Sequence, residues 1–408
     1  MRDLLLPGLR IKRWIVALVL SLFIIGTACL LLFTGLWSIQ NQAIIGLALL
    51  VIGILFIAMS VWKLLDRLID IFGPDKRGKL LSILNRAGAL NRGPKIVAIG
   101  GGTGLPNVLM GLKKYTRNLT AIVAMADSGG STGRLRDEFG VLPPGDIRRS
   151  FIALSENTPM LKKLFETRFT KGTLAGHNFG NLFITALREA TGSDEAALLE
   201  AGKILNIRGQ ALPVTLDNTH LHAKLENGKI IRGETNIDIP KHDPRLRITQ
   251  VFLNPRAKAY HMAVKAIREA DLIVIGPGDL YTSIVANLCV GGIAEAIRHA
   301  KGHRVYVCNL MTKEGETTGF TAAMHLREVL RYLDAPDAID TIVVNNRIPD
   351  RRLLKKYERQ HSYLVQIDSE NLRSLGVEIV QANLLREPVL VRHDAEKLGK
   401  VLRALTRR

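Results

Sequence analysis

Residues 95–104 read KIVAIGGGTG: an apolar run, IVAI, passes directly into glycines and a threonine, and LPNVLMGLKK follows with helical spacing. A strand buried on both faces of a parallel sheet is written as an unbroken aliphatic run, because helices cover it from either side. Five more segments share the form: TAIVAMADSGG at 120–130, DLIVIGPGD at 271–279, RVYVCNLM at 304–311, DTIVVNN at 340–346 and GVEIVQAN at 376–383. Each ends in a small or polar cluster and leads into a helix-length stretch, which makes it a strand–turn–helix unit. The fold class implied is α/β, a doubly wound, mostly parallel, Rossmann-like sheet over residues 95–408. Residues 214–253 depart from this pattern. There THLHAKLENGKIIRGETNI alternates apolar and polar residues about Asn227-Gly228, a dipeptide suited to a type I′ turn, so a small antiparallel β insertion is expected.

In an open parallel sheet, ligands bind beyond the carboxyl ends of the strands. The glycine-rich clusters all fall there. Gly101, Gly102, Thr103 and Gly104 precede a helix expected from about Pro106, and free N–H groups at its positive end suit a phosphate. The loop lacks the GK[ST] of a P-loop, and Leu105 stands where G-x-G-x-x-G needs its last glycine. Asp127 comes 23 residues after Gly104, at the tip of the second strand, where an acid can hold ribose hydroxyls. Gly129, Gly130, Ser131 and Gly133 add N–H and hydroxyl donors, while Arg134 and Arg136 add guanidinium forks that grip phosphate oxygens. LPPGDIRR at 142–149 presents Asp146 and Arg148. AGHNFGNLF at 175–183 places His177, Asn178 and Asn181 at a helix start; His177 can act as general base or sugar ligand, or serve with Asn178 as a cap. GPGDLYTS at 276–283 repeats the theme with Gly276, Gly278, Thr282 and Ser283. In it Asp279 is an N-cap, a base or a metal contact, and Tyr281 is available to stack on a nucleobase. Asn309, Thr312 and Glu316 arrive from the loop after the next strand. Such a set calls for a phosphorylated, sugar-bearing ligand.

Other patterns carry less. His220 and His222 lie two apart on one strand without further ligands, so they read as hairpin residues and no metal site is expected from them. Arg392-His393-Asp394 is either a structural cluster or the completion of the site. A Ser–His–Asp triad is disfavoured because no G-x-S-x-G elbow is present. Two function classes stay open. A binding protein needs only pre-formed donors around a diphosphate and no cofactor. A transferase moving a phosphate-containing group from a nucleotide-activated donor would use His177 as base and Asp127 or Asp279 to hold a divalent cation, with the loop arginines stabilising the departing diphosphate.

The N-terminal region is of another kind. From Trp14 to Trp62, 49 residues contain no Asp, Glu, Lys, Arg or His, and only SIQNQ at 38–42 interrupts their apolar character. Each half is long enough to cross a bilayer, and Trp14, Trp37 and Trp62 mark its ends, as interfacial indoles do. Residues 1–65 are therefore expected to be a transmembrane hairpin anchor, 66–94 a basic linker with a short interfacial helix over 79–90, and 95–408 the ligand-binding domain. Arg2, Arg10, Lys12 and Arg13 precede the first span, and Lys63, Arg67, Lys76, Arg77 and Lys79 follow the second. The positive-inside bias puts both termini and the α/β domain on the cytoplasmic side of the plasma membrane. No ionisable group lies within the spans, which argues against a transport role. The net charge of +19 is shared between this flank and the rest, and without a recognition motif it points to lipid headgroups and phosphorylated ligands rather than nucleic acid. Cys29, Cys289 and Cys308 form no CxxC or disulfide framework, consistent with a reducing compartment.

The stretch IGGGTGLPNVLMGLKKYTRNLTAIVAMADSGGSTGRLRDEFGVLPPGDIRRSFIALS resembles the YvcK-like gluconeogenesis factor family, and the likeness continues through AGHNFGNL, LNIRGQALPVT, DLIVIGPGDLYTSIVANL, VYVCNLMTKEGETTGFTA, VVNN and RHD. The resemblance implies a fold like that of 2-phospho-L-lactate transferase. It also implies binding of UDP-N-acetylglucosamine at positions matching the 100–104 glycines, Asp127 to Arg134, His177 to Asn181 and Gly276 to Ser283, without a settled catalytic activity. It implies a regulatory role in carbon-source use, cell-wall synthesis and cell shape, with cell-wall or regulatory proteins as partners, and a homo-oligomer is expected. The chain departs from many members in Ser128, where they carry a second acid, and in its membrane hairpin, which marks a subset.

Overall fold

A computed structural model describes residues 12–33, 40–72, 88–240, 242–386 and 390–406. They fall into two compact units, Met1–Gly88 and Ala89–Arg408.

Among the described residues of the first unit are two apolar helices, Lys12–Phe33 and Gln40–Phe72. Within them Arg13–Leu32 and Ile44–Asp66 each reach a mean hydropathy of 2.9, and both are long enough to span a membrane by length and composition. The helices pack on each other at glycines. A Cβ on Gly46 would stand 2.9 Å from Leu32 Cγ, and one on Gly53 2.5 Å from Ile25 Cγ1. Small residues allow such close backbone approach between helices. Trp37, with residues 34–39, lies outside the described residues, as do Arg2, Arg10, Lys76, Arg77 and Lys79. Of the interfacial helix expected over 79–90, only 88–90 is described, and it is helical.

The second unit is built on a seven-stranded sheet ordered β10-β9-β8-β7-β1-β2-β3, parallel throughout. Its strands are β1 Ile96–Gly100, β2 Leu119–Val123, β3 Gln210–Pro213, β7 Leu272–Ile275, β8 His303–Val307, β9 Thr341–Asn345 and β10 Glu378–Ala382. The central strands β1, β2 and β7 are buried along their whole length, whereas the edge strand β3 alternates and the edge strand β10 is only partly buried. Covered on both faces, the central strands need aliphatic residues at every position. The six apolar runs are thus six of these strands. The seventh, β3, was not expected, because QALP is short and ends in a proline, a residue a sheet accepts at its edge. The order reverses at β1, which has β2 on one side and β7, distant in sequence, on the other. The crevice over that reversal is where doubly wound sheets bind ligands.

The insertion is a three-stranded antiparallel sheet, with β4 His220–Leu225 between β5 Ile230–Arg232 and β6 Ile248–Asn254. Its hairpin turn differs from the expectation. Leu225 N–H donates to the Lys229 carbonyl (2.8 Å) and Gly228 N–H to the Leu225 carbonyl (2.9 Å). Only Gly228 has a positive φ (82°). A type I′ turn needs positive φ at both central residues, so this is a three-residue loop, a type I turn closed by a left-handed glycine. His222 is buried edge-on to Phe252, with ring centroids 5.4 Å apart, while His220 is exposed.

Candidate functional site

The loops after β1 and β7 face one another across the reversal. A close approach holds them together: a Cβ on Gly104 would collide with the Pro277 carbonyl oxygen, so only glycine fits at the start of the helix Gly104–Leu112. Beside this contact lies a cavity of about 170 Å³. The β1 side contributes Gly102, Thr103, Gly104 and Asn107, and the β7 side Gly278, Asp279 and Ser283. Asn309 enters from the loop after β8, its Oδ1 accepting the Gly278 N–H at 3.5 Å.

The far wall comes from the C-terminal quarter of the chain: Tyr357, Val391, Arg392 and His393. The last two belong to a short antiparallel ladder, Leu385–Arg386 (β11) with Arg392–His393 (β12). It is braced by a small apolar cluster of Leu310, Leu385 and Val391, against which Tyr357 packs, its hydroxyl accepting the Val391 N–H at 3.2 Å. Arg392 is exposed at the mouth. His393 is 6% exposed, burial holds its imidazole down to about 4, and its Nε2 has no hydrogen-bond partner among the described residues. It is therefore neutral at pH 7. Asp394 caps the last helix by accepting the N–H groups of Glu396 and Lys397, so RHD both completes the cavity and anchors structure.

On the β2 side the polar groups bond mainly with each other. Ser131 Oγ lies 3.3 Å from His177 Nδ1 and accepts from Asn178 N (3.2 Å) and Asn181 Nδ2 (3.3 Å). Asn178 caps the helix Phe179–Thr191, its side chain accepting Asn181 N–H at 3.2 Å. The capping reading thus holds for Asn178, while His177 is buried against Ser131. Asp127 accepts Gly129 N–H at 2.9 Å, and Arg134, exposed, reaches the Ala175 carbonyl at 3.2 Å. Asp146 joins this half to the cavity, taking Gly102 N–H at 2.7 Å and Arg149 Nη1 at 2.6 Å. Burial raises its pKa against the lowering effect of Arg149. Burial also brings the Arg148 guanidinium down to about 10, helped by the neighbouring Arg149 and Arg168.

The insertion closes on both halves. Ser128 Oγ accepts Thr235 N–H (3.2 Å), and Glu234, beside Ser128 and Asp127, is raised to about 7 by burial and by Asp127. Further along, Lys313 Nζ contacts Asp238 Oδ1, Asp279 Oδ2 at 2.9 Å and Glu316 Oε1 at 3.4 Å. The glycine loops, the insertion and the β8 loop therefore form one continuous rim.

Several expectations are corrected. Tyr281 is 1% exposed and its hydroxyl is raised by burial and by Glu328, so it packs in the core and is not free to stack on a base. Arg136 is buried with its guanidinium bonded to Asn218 Oδ1 and the Thr219 carbonyl, and it does not line the cavity. Thr312 exchanges hydrogen bonds with Tyr363 (2.7 and 2.9 Å), and the Thr282 hydroxyl points to Glu316 at 3.4 Å. Gly276 lies beneath the rim, against the Val307 carbonyl oxygen. Asp279 begins its helix without a side-chain cap and instead faces Lys313. Tyr357, Asn107, Lys313, Glu234 and Asp238 were not singled out from the sequence. None sits in a glycine-rich motif, and only the proximity of Lys313 to Thr312 and Glu316 offered a hint.

A profile of the 2-phospho-L-lactate transferase CofD family matches residues 96–385, the sheet with its insertion and most of the cavity wall. A putative gluconeogenesis factor of Nostoc sp. is 42% identical over 97% of this chain and 90% of its own length. The chain belongs to the CofD-like gluconeogenesis factor family. The family's gluconeogenesis factor of Bacillus subtilis is also 42% identical, over 76% of this chain and 97% of its own. A putative gluconeogenesis factor of Clostridium acetobutylicum, at 38%, covers 98% of this chain. Alignment thus reaches the hairpin region in some relatives and stops short of it in others. The crystal structure of a UPF0052-family protein from Bacillus halodurans superposes with a TM-score of 0.73 at 40% identity, covering 76% of this chain and 99% of that one.

Proposed function

We propose that this gluconeogenesis factor-family chain is a nucleotide-sugar-binding regulator, held at the cytoplasmic face of the plasma membrane by its N-terminal hairpin, and that its ligand is UDP-N-acetylglucosamine. The observation that carries the reading is the cavity over the strand-order reversal, where the helix N-terminus at Thr103–Gly104 and the Arg392 guanidinium meet from opposite walls. N–H donors at a helix start and an exposed guanidinium are complementary to a diphosphate. Asn309 and the neutral His393 offer hydrogen-bonding groups to a base or sugar alongside it. A regulator needs no more than this, and coupling to cell-wall synthesis follows from a ligand that is itself a wall precursor. Calorimetry on the full chain in detergent, with UDP-N-acetylglucosamine, UDP-glucose and GDP-linked sugars, tests the ligand. Absence of heat with every nucleotide sugar would defeat the reading. Resistance to alkaline carbonate extraction, with the α/β domain open to protease only in inverted vesicles, is the expected outcome for the anchor.

The transferase name of the family profile supports a second reading, in which a phosphate-containing group moves from a nucleotide-activated donor. Release of UDP or another nucleotide in the presence of an acceptor would establish it; binding without product favours the regulator.

A further inference from the structure

Three carboxylates converge at the rim: Asp238 from the insertion, Asp279 from the β7 loop and Glu316 from the loop after β8, with ligand-type oxygens within 4.8 Å of one another. Oxygens so gathered, one side chain fully buried and two partly so, are what hard divalent cations select. Lys313 already occupies the middle. Its ammonium reaches all three carboxylates, and its backbone N–H is fixed by Thr317 Oγ1 at 2.9 Å, which aims the side chain inward. The remaining capacity of Glu316 goes to Tyr281 N–H at 3.2 Å and the Thr282 hydroxyl at 3.4 Å. A metal at ordinary oxygen distances would have to share this space with a positive charge, and the two repel. A divalent cation therefore does not fit Asp279 as it is arranged here.

We infer that the Lys313 ammonium is the built-in cation of this rim, standing where a divalent ion would stand, so that the nucleotide-sugar binding proposed above, on which this inference rests, proceeds without metal. Electrostatics agree. Burial and mutual repulsion raise Glu316, to about 8, and Asp279, whereas Glu316, Asp279 and Asp238 hold the Lys313 ammonium above its ordinary value against burial, so the ammonium is the charge that persists at physiological pH. Because Asp238 belongs to the insertion, the same ammonium ties that element to the cavity edge. A tethered cation does this irrespective of metal supply.

The test uses the full chain in detergent with Mn²⁺ as probe, its free signal followed by electron paramagnetic resonance. Wild type and D279N should leave the signal alike. Lys313→Ala, and Lys313→Met with closer volume, should take up Mn²⁺ at least about tenfold more tightly than wild type, and the gain should vanish in K313M/D279N. Mn²⁺ should also raise the thermal midpoint of K313M but not that of wild type. Uptake by wild type that D279N abolishes would overturn the inference, as would folded K313A and K313M proteins with no gain. Should both variants fail to fold, the comparison of wild type with D279N still decides. Nucleotide-sugar binding that is lost in chelator also overturns it, whereas failure of any nucleotide sugar to bind overturns the proposed function and leaves the Mn²⁺ result standing.

Discussion

The loops after β1 and β2 are alike in composition, rich in glycine and hydroxyl groups, yet their polar atoms meet different fates. After β2, Ser131, His177, Asn178 and Asn181 hydrogen bond with one another, and Asp127 turns back on Gly129. After β1, Gly102 gives its N–H to Asp146, but Thr103 and Gly104 still border a cavity whose opposite wall carries Arg392. The first half is a closed network that holds shape; the second is an open surface with a positive helix end on one wall and a guanidinium on the other. Satisfied donors stabilise a fold, and only unsatisfied ones can greet a ligand.

This contrast predicts separable effects. The largest is expected at the seam between the β1 and β7 loops. Gly104→Ala forces a Cβ into the Pro277 carbonyl and should destabilise the chain by about 3 kcal/mol, read as a lowered denaturation midpoint. A neutral outcome would mean the two loops are not in contact. Next, Ser131→Ala removes the shared acceptor of the closed half and should cost about 2 kcal/mol of stability. Nucleotide-sugar affinity per folded molecule should change little. Arg392→Ala should do the reverse, weakening affinity by about 1.5–3 kcal/mol with an unchanged melting curve, and should exceed the effect of Arg134→Ala. Equal losses for the two arginines would dissolve the distinction between open and closed halves.

The smallest effects concern pH, and they carry opposite signs. Glu234, against the closed half, sits at about 7 in the fold, above its ordinary 4.5, so the folded chain keeps a proton the unfolded chain has lost between those values. Its contribution to stability is complete below about pH 4.5 and is lost as pH rises through 7; Glu234→Gln should remove that slope. His393, in the open half, is depressed to about 4 from 6.5. Its contribution is present above pH 6.5 and is lost as pH falls through 4, a loss that His393→Asn should abolish. Thermal midpoints from pH 4 to 8 check both.

Five of the seven parallel strands were legible because burial on both faces demands aliphatic residues in succession, and that demand is local; β10, an edge strand, was legible only through its short Ile379-Val380 run. β3 was not, since an edge strand of four residues obeys no such demand. The β1, β2 and β7 loops were legible as site material through their glycines, but the identity of each hydrogen-bond partner was not. Tyr281 illustrates the limit: an aromatic beside a glycine turn reads as a stacking platform, and only the packing of Glu328 and Tyr332 beside it consigns it to the core.

The amino-acid order by itself determined the apolar hairpin, the alternation of strand and helix, and the placing of glycine loops at one sheet edge, because each depends on residues within a few positions of one another. Tertiary structure alone decided which polar groups satisfy each other and which stay open, and it brought Arg392 and His393 to Gly104, and Asp238 to Lys313. Those pairings span tens to hundreds of residues, and a hydrogen bond or ion pair depends on distance through space, which no local pattern encodes.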